Sequence, residues 1–214
     1  MKTDALIDML ARGPMVSSGA RPVPRLALAA SAGLLIAAVA MVTALGLRAD
    51  LAAAAMLPMF WLKLALPLAV VAAALAATSR LARPGDTAIG AGAVIAAAVL
   101  AVWAMAARDL FVVPAGARIA AVVGRSAWSC VASIAALSLP LVAVLFVALR
   151  GLAPTRPALA GAAAGALAGG CAAGVYALHC TEMAVPFLAT WYVLGMAIPA
   201  AAGAWLGPRL LRWT

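Results

Sequence analysis

Six apolar stretches, each about 20 residues long, dominate this sequence and match the length that a membrane-spanning helix requires. Of all residues, 68% are hydrophobic and 10% are charged, against about 45–50% and about 25% in ordinary soluble domains. The stretches lack the two-residue alternation of transmembrane β-strands, and in lipid a helix satisfies its own backbone hydrogen bonds. We therefore predict an all-α, polytopic membrane protein with six transmembrane helices. The predicted spans are Leu26–Leu47, Leu57–Thr78, Ala88–Ala107, Ala127–Leu149, Ala158–Leu178 and Ala184–Leu206.

Basic residues are distributed unequally between the two sides of this predicted bundle. The side with both termini carries Lys2, Arg12, Arg21, Arg25, Arg80, Arg83, Arg150, Arg156, Arg209 and Arg212. The opposite side carries Arg48, Arg108, Arg118 and Arg125. Because Lys and Arg accumulate on the cytoplasmic side, we predict that both termini are cytoplasmic and that the protein lies in a bacterial inner membrane. The net charge of +9 then reflects topology in a lipid bilayer, and no direct binding of nucleic acid is expected.

The predicted organisation has three parts: a cytoplasmic N-terminal segment (1–25), the bundle (26–206), and a cytoplasmic tail (207–214). Because the connections are short, consecutive helices are expected to be antiparallel neighbours. The N-terminal segment predicts a short amphipathic helix, with an apolar stripe of Leu6, Met9 and Leu10 and with Asp4 and Asp8 on its polar side. So short a stripe either lies on the membrane or docks into a groove on a protein partner.

The sequence offers little chemistry for catalysis or transport. It has one histidine and six acidic residues, and no paired carboxylates fall inside a span. We predict that the protein is not an enzyme and has no cofactor. A small transporter or efflux component, or a structural subunit of a membrane complex, is an alternative function, but transport pathways usually contain intramembrane charges. Lys63 is the one charge inside a predicted span, where we expect it to extend to the interface or to pair with Asp50 or Asp109.

Two cysteines, Cys130 and Cys180, are predicted at the same outer face. From the residues alone, the pair is a structural disulfide, two unrelated buried cysteines, or a sensing pair. His179 precedes Cys180 directly, so the three residues form a candidate ligand set for a thiophilic metal ion.

The predicted fifth span has a stripe of small residues. Gly161, Gly165 and Gly169 recur at four-residue spacing, and Cys171 follows within the same span. Such stripes allow close approach of helices. We expect packing within the bundle, with a homo-oligomer interface as the alternative, and we read Cys171 as a packing residue.

Several short motifs, in order, resemble the NrsF family of bacterial membrane anti-sigma factors. They are Met1–Ile7 (MKTDALI), Phe60–Lys63 (FWLK), Arg125–Cys130 (RSAWSC), Pro154–Pro157 (PTRP), Tyr176–Cys180 (YALHC) and Trp191-Tyr192. Cys171 matches no motif. The resemblance implies that the N-terminal segment holds an extracytoplasmic-function sigma factor at the membrane. It also implies that Cys130 and Cys180 take part in the response to oxidative or heavy-metal stress.

Overall fold

The computed structural model describes residues 22–83, 85–152 and 154–211, together with Thr3 and Asp8. In these ranges the helices are α1 (Pro22–Ala44), α2 (Leu51–Ala55), α3 (Pro58–Leu81), α4 (Ile89–Val112), α5 (Arg118–Val123), α6 (Ala127–Arg150), α7 (Pro157–Tyr176) and α8 (Val185–Leu210). A short 3₁₀ turn (Ala115–Ala117) precedes α5, and a π-turn (Leu188–Tyr192) lies within α8. Six of the helices, α1, α3, α4, α6, α7 and α8, are long and apolar enough to cross a membrane.

The six predicted spans are therefore confirmed as long apolar helices, although their ends differ. The first helix ends at Ala44 rather than Leu47, because Gly46 takes a left-handed conformation at φ +76°. The third long helix continues through Arg108 and Asp109 to Val112, since charged residues do not interrupt a helix as Gly or Pro does. The short helices α2 and α5 were not predicted.

Contacts between helix termini define two ends of the bundle. At the first, the backbone N–H of Arg48, just after α1, donates to the Leu178 carbonyl, just after α7. We call this the cysteine end. At the opposite end, Arg150 at the close of α6 donates to the Leu210 carbonyl at the close of α8. We call this the terminal end, because both limits of the described bundle lie there.

Helix α7 occupies the centre of the bundle and packs against α1, α3, α6 and α8. Of the 18 most apolar consecutive residues of α7, 67% are buried inside the structure, against 11% for the corresponding stretch of the peripheral α4. The expectation that consecutive helices are neighbours is wrong in part, because α1 packs mainly on α6, and α4 packs on α3 and the start of α8. Burial of an Ala- and Gly-rich helix explains this arrangement, since small residues admit several neighbours at close range.

The predicted glycine stripe packs within the chain, as expected, and forms the interface between α7 and α8. A Cβ atom at Gly161 would collide with the Gly203 carbonyl, and one at Gly165 would collide with the Pro199 carbonyl. The backbones of the two helices are therefore in direct contact. The stripe is thus not available as an interface between two copies of the chain.

The predicted N-terminal helix lies mostly outside the described residues. Leu6, Met9, Leu10 and Asp4 are not described, whereas Thr3 and Asp8 are helical and exposed. Its role stays a prediction.

Candidate sensing site at the cysteine end

The two predicted thiols both lie at the cysteine end, and both are buried and free. Cys130 is in the first turn of α6 and is fully buried, and Cys180 follows α7 with 3% of its surface exposed. Lys63 lies within electrostatic range of both. Cys171 is also buried and free but lies within α7, five residues before its end. A reagent from solution can therefore reach Cys130 and Cys180 only when the loop between α7 and α8 (residues 177–184) opens.

Lys63 of α3 binds the backbone of the loop between α7 and α8. Its side chain is buried, with 1% exposed, in the second turn of α3. Its amino group donates to the carbonyl of Cys180 at 2.7 Å and to that of Glu182 at 2.9 Å. It also lies 5.3 Å from the ring centroid of Tyr192, a cation–π distance. The expected extension of Lys63 to the interface is wrong, and so is its pairing with Asp50 or Asp109, because loop carbonyls accept from its amino group instead.

Arg48 holds the same loop from the side of α1. One guanidinium nitrogen donates to the Cys180 carbonyl at 3.2 Å, and the others pair with Asp50 at 2.7 and 2.8 Å. The carbonyl of Cys180 thus accepts from two basic side chains, which uses both of its lone pairs. The Asp50 carboxylate raises the pKa of Arg48, and the Arg48 guanidinium in turn lowers the pKa of Asp50.

Glu182 connects the loop to the helix that carries Cys130. Its carboxylate accepts from the backbone N–H of Arg125 at 2.8 Å and from the Ser126 hydroxyl at 3.4 Å. Both residues precede the first turn of α6, where no side chain caps the helix in the usual way. A carboxylate at a helix N-terminus is electrostatically favourable. Glu182 therefore attaches the loop to the two residues just before α6 and links the positions of Cys180 and Cys130.

His179 contacts α1 rather than the thiols. Its Nδ1 lies 2.9 Å from the Gly46 carbonyl, which can only accept, so this nitrogen carries the proton. Its ring also lies 5.6 Å from that of Tyr176. In the described part of the chain, no group of three His, Cys, Asp or Glu side chains is placed to hold a metal ion. The predicted ligand set of Cys130, Cys180 and His179 is thus not assembled in this arrangement.

The two aromatic residues of the π-helical turn in α8, Trp191 and Tyr192, contact different partners. The indole of Trp191 donates to the Val122 carbonyl in α5, and Tyr192 faces Lys63. A π-turn disrupts the regular helical ladder, and the indole of Trp103 donates to the Ala189 carbonyl within it. The turn thereby attaches α4 and α5 to the site.

Sequence reasoning identified the two thiols and Lys63 but not Arg48, Glu182 or Tyr192 as parts of the site. The sequence predicts only a topological role for Arg48, although the residue lies near Asp50 just past a predicted span. Glu182 gave no signal, because its partners are a backbone N–H and a serine far away in sequence.

Comparison with known proteins finds sequence relatives of this chain among bacterial regulators. A family model described as negative regulator of sigma F (NrsF) matches residues 10–213. The chain is 44% identical over 213 residues to the probable anti-sigma-F factor NrsF of Azospira oryzae, with 100% of both chains covered. It is 40% identical over 221 residues to the anti-sigma-F factor NrsF of Caulobacter vibrioides, again with 100% of both covered. No solved structure matches.

Proposed function

Because the chain belongs to the NrsF family of negative regulators of sigma F, we propose that it is a membrane-bound anti-sigma factor whose cysteine end controls release of the sigma factor. The family consists of regulators rather than enzymes, which confirms the prediction that the chain is not an enzyme. The resemblance found in the sequence is likewise confirmed over the full length of both relatives.

The proposed location is the bacterial inner membrane, with the terminal end in the cytoplasm. The six long apolar helices support insertion in a membrane. The excess of Arg and Lys that the sequence predicts on the side with both termini supports the orientation. In this orientation the thiols lie at the periplasmic end of the bundle, and cysteines in the periplasm can be oxidised.

The sigma factor, of the extracytoplasmic-function class, would bind at the terminal end through the N-terminal segment. The support is the amphipathic pattern of that segment, with Leu6, Met9 and Leu10 as the contacting stripe. Asp4 and Asp8 would then face the polar rim of the interface.

The observation that carries the proposed control is the network around Cys180. Lys63, Arg48 and Glu182 connect one buried loop to α3, to the end of α1 and to the start of α6. A bond formed at the Cys180 thiol would act on this loop, because Cys180 also supplies the carbonyl that Lys63 and Arg48 bind. The helices thus attached run to the terminal end.

The signal can act by two-electron oxidation or by metal capture. In the first case a hydroperoxide takes two electrons and two protons from Cys130 and Cys180, a disulfide forms, and the oxidant leaves as water and an alcohol. In the second case a thiophilic ion displaces the thiol protons and binds both sulfurs. Reversing a bound-to-free ratio of 99:1 takes about 5.5 kcal/mol, and a disulfide formed in only one state is worth about 2–4 kcal/mol. One such bond therefore supplies a large part of the switch.

The test is copurification of a sigma factor with the tagged full-length protein from membranes. We expect recovery with the complete chain and loss of recovery when residues 2–20 are deleted, while the bundle still inserts. Recovery that is unchanged by the deletion would contradict the proposed binding segment.

The same assay, after treatment with hydrogen peroxide or with cadmium, tests the thiols. Cys130→Ser and Cys180→Ser should each abolish the response to treatment. Cys171→Ser, which changes a buried cysteine of α7 away from the site, should respond as the wild type does. A normal response in both of the first two variants would refute control by the cysteine end.

A further inference from the structure

A groove of about 400 Å³ opens at the terminal end, between α3, α4 and α7. Its walls are apolar and include small residues on facing helices, such as Gly92 of α4 and Ala163 of α7. Arg156 is the basic residue in its lining. The groove is far from the thiols, and the proposed function makes no use of it.

The groove exists because α4 is attached to its neighbours unevenly. Near the cysteine end, Trp103 of α4 donates to the Ala189 carbonyl of α8. Towards the terminal end α4 packs on α3 but makes little contact with the central α7. The two helices therefore diverge, and the gap between them faces the surrounding bilayer.

The dimensions suit a lipid chain. The lining of α7 runs from Arg156 to Ala166, which is about 15 Å at the helical rise and half of a hydrocarbon core of about 30 Å. An apolar groove offers water no hydrogen-bond partners, and an unfilled one forfeits dispersion contacts. An acyl chain of the adjacent leaflet matches both the length and the chemistry.

The positive charge of Arg156, which lines the groove, favours a lipid with an anionic headgroup. Arg150 donates to the Leu210 carbonyl, and Arg209 donates to the Trp205 carbonyl and stacks on that indole. By contrast, within the described chain the exposed guanidinium of Arg156 makes no hydrogen bond and no ion pair. Guanidinium groups bind phosphate in bidentate fashion, and basic pockets between transmembrane helices bind anionic lipid headgroups.

We propose that this groove is a binding site for an anionic phospholipid, with one acyl chain between α4 and α7 and the phosphate on Arg156. The proposal assigns a role to the PTRP motif, which places Arg156 directly before the first residue of α7.

The test uses the full chain in detergent, with phosphatidylglycerol and phosphatidylcholine as probes and native mass spectrometry as the readout. We expect the wild type to prefer phosphatidylglycerol by about fivefold, the factor that corresponds to about 1 kcal/mol for one basic residue. Arg156→Gln should remove the preference. Arg83→Gln removes an exposed charge at the same end that does not line the groove, and it should leave the preference intact.

Two glycines of α4 test the acyl chain site. A Cβ atom at Gly92 or at Gly90 meets no atom within 4 Å, but only Gly92 lines the groove. Gly92→Leu should fill the groove and lower binding of both lipids, whereas Gly90→Leu should bind them as the wild type does.

Three results would overturn the proposal. The first is equal binding of the two lipids by the wild type, and the second is identical behaviour of Gly92→Leu and Gly90→Leu. The third is lipid binding that is absent in the full chain and present only when residues 2–20 are deleted, which would assign the groove to the chain's own N-terminal segment instead.

Discussion

The amino group of Lys63 lies 2.7 Å from the carbonyl oxygen of Cys180, although 117 residues separate the two in the sequence. Lys63 is 1% exposed, and its nearest acceptors in the described chain are carbonyl oxygens rather than a carboxylate. A buried lysine is costly unless its donors are satisfied, so this contact fixes both the lysine and the loop. The geometry of the thiol site thus depends on a residue that has no thiol chemistry of its own.

Replacement of Lys63 by methionine should loosen this loop. The change leaves the Glu182 carbonyl without its donor, and a buried polar group without a partner costs about 1–3 kcal/mol. We expect a lower unfolding temperature in detergent, and faster maleimide labelling of Cys180 in a chain that lacks the other two cysteines. Leu68→Met, on an exposed position of the same helix, is the control. Equal labelling rates in the two variants would show that Lys63 does not restrain the loop.

Removal of the Glu182 carboxylate should release the start of α6. Glu182→Ala removes the acceptor of the Arg125 N–H, a hydrogen bond worth about 0.5–1.5 kcal/mol, and should speed labelling of Cys130. Glu182→Gln keeps an acceptor and should have a smaller effect. Asp86→Ala changes an acidic residue of the loop between α3 and α4 and should leave labelling of Cys130 unchanged. If Glu182→Ala labels no faster than that control, the coupling between the loop and α6 is absent.

The pair of Arg48 and Asp50 should make stability depend on acid. The guanidinium lowers the pKa of Asp50 below its ordinary value of 3.8. The pair therefore contributes stability above that pH and loses the contribution as the pH falls through the lower folded-state pKa. We expect the unfolding temperature of the wild type to fall more steeply below about pH 4 than that of Asp50→Asn. The difference should be small, because Asp50 is exposed, and it should vanish when both variants also carry Arg48→Gln.

A substitution within the interface of α7 and α8 should lower the stability of the protein more than a substitution elsewhere on α7. Gly165→Ala directs a methyl group at the Pro199 carbonyl, and overpacking of this kind costs about 1–3 kcal/mol. Gly174→Ala meets its nearest atom, in Pro67, only at 4.0 Å and should be neutral or stabilising. Thermal unfolding of the two variants in the same detergent is the measurement. Equal stability would mean that the helix backbones are not in contact.

The sequence predicts the parts of this molecule that depend on composition and local spacing. Apolar length locates the six helices, and alternation of sides puts Cys130 and Cys180 at one end. The four-residue spacing of Gly161 and Gly165 predicts close packing of a helix. Each of these follows from residues near one another in the chain.

The contacts that form the site could not be predicted in the same way. Lys63 and Arg48 bind a backbone carbonyl. Because every residue has a backbone carbonyl, the sequence does not show which residue is the acceptor. The order of helices around α7 depends on which helix surfaces are complementary in shape. Apolar runs of Ala and Leu resemble one another too closely for the sequence to show which helix packs on which. For Lys63 the sequence accordingly predicts extension to the interface, where a single charge near a span end usually lies, or pairing with Asp50 or Asp109.

The π-turn at Leu188–Tyr192 also sets the rotational phase of α8. A π-helical turn holds about one residue more than the α-helical turn whose place it takes, so loss of one residue within it would leave an ordinary α-helix with nearly the same phase on either side. Pro186 and Phe187 would then keep their directions while Gly203 stayed against Gly161. In the regular part of α8, by contrast, each residue advances the chain by about 100° around the axis. We therefore expect the chain to tolerate loss of one residue in this turn far better than loss of one residue in the rest of α8.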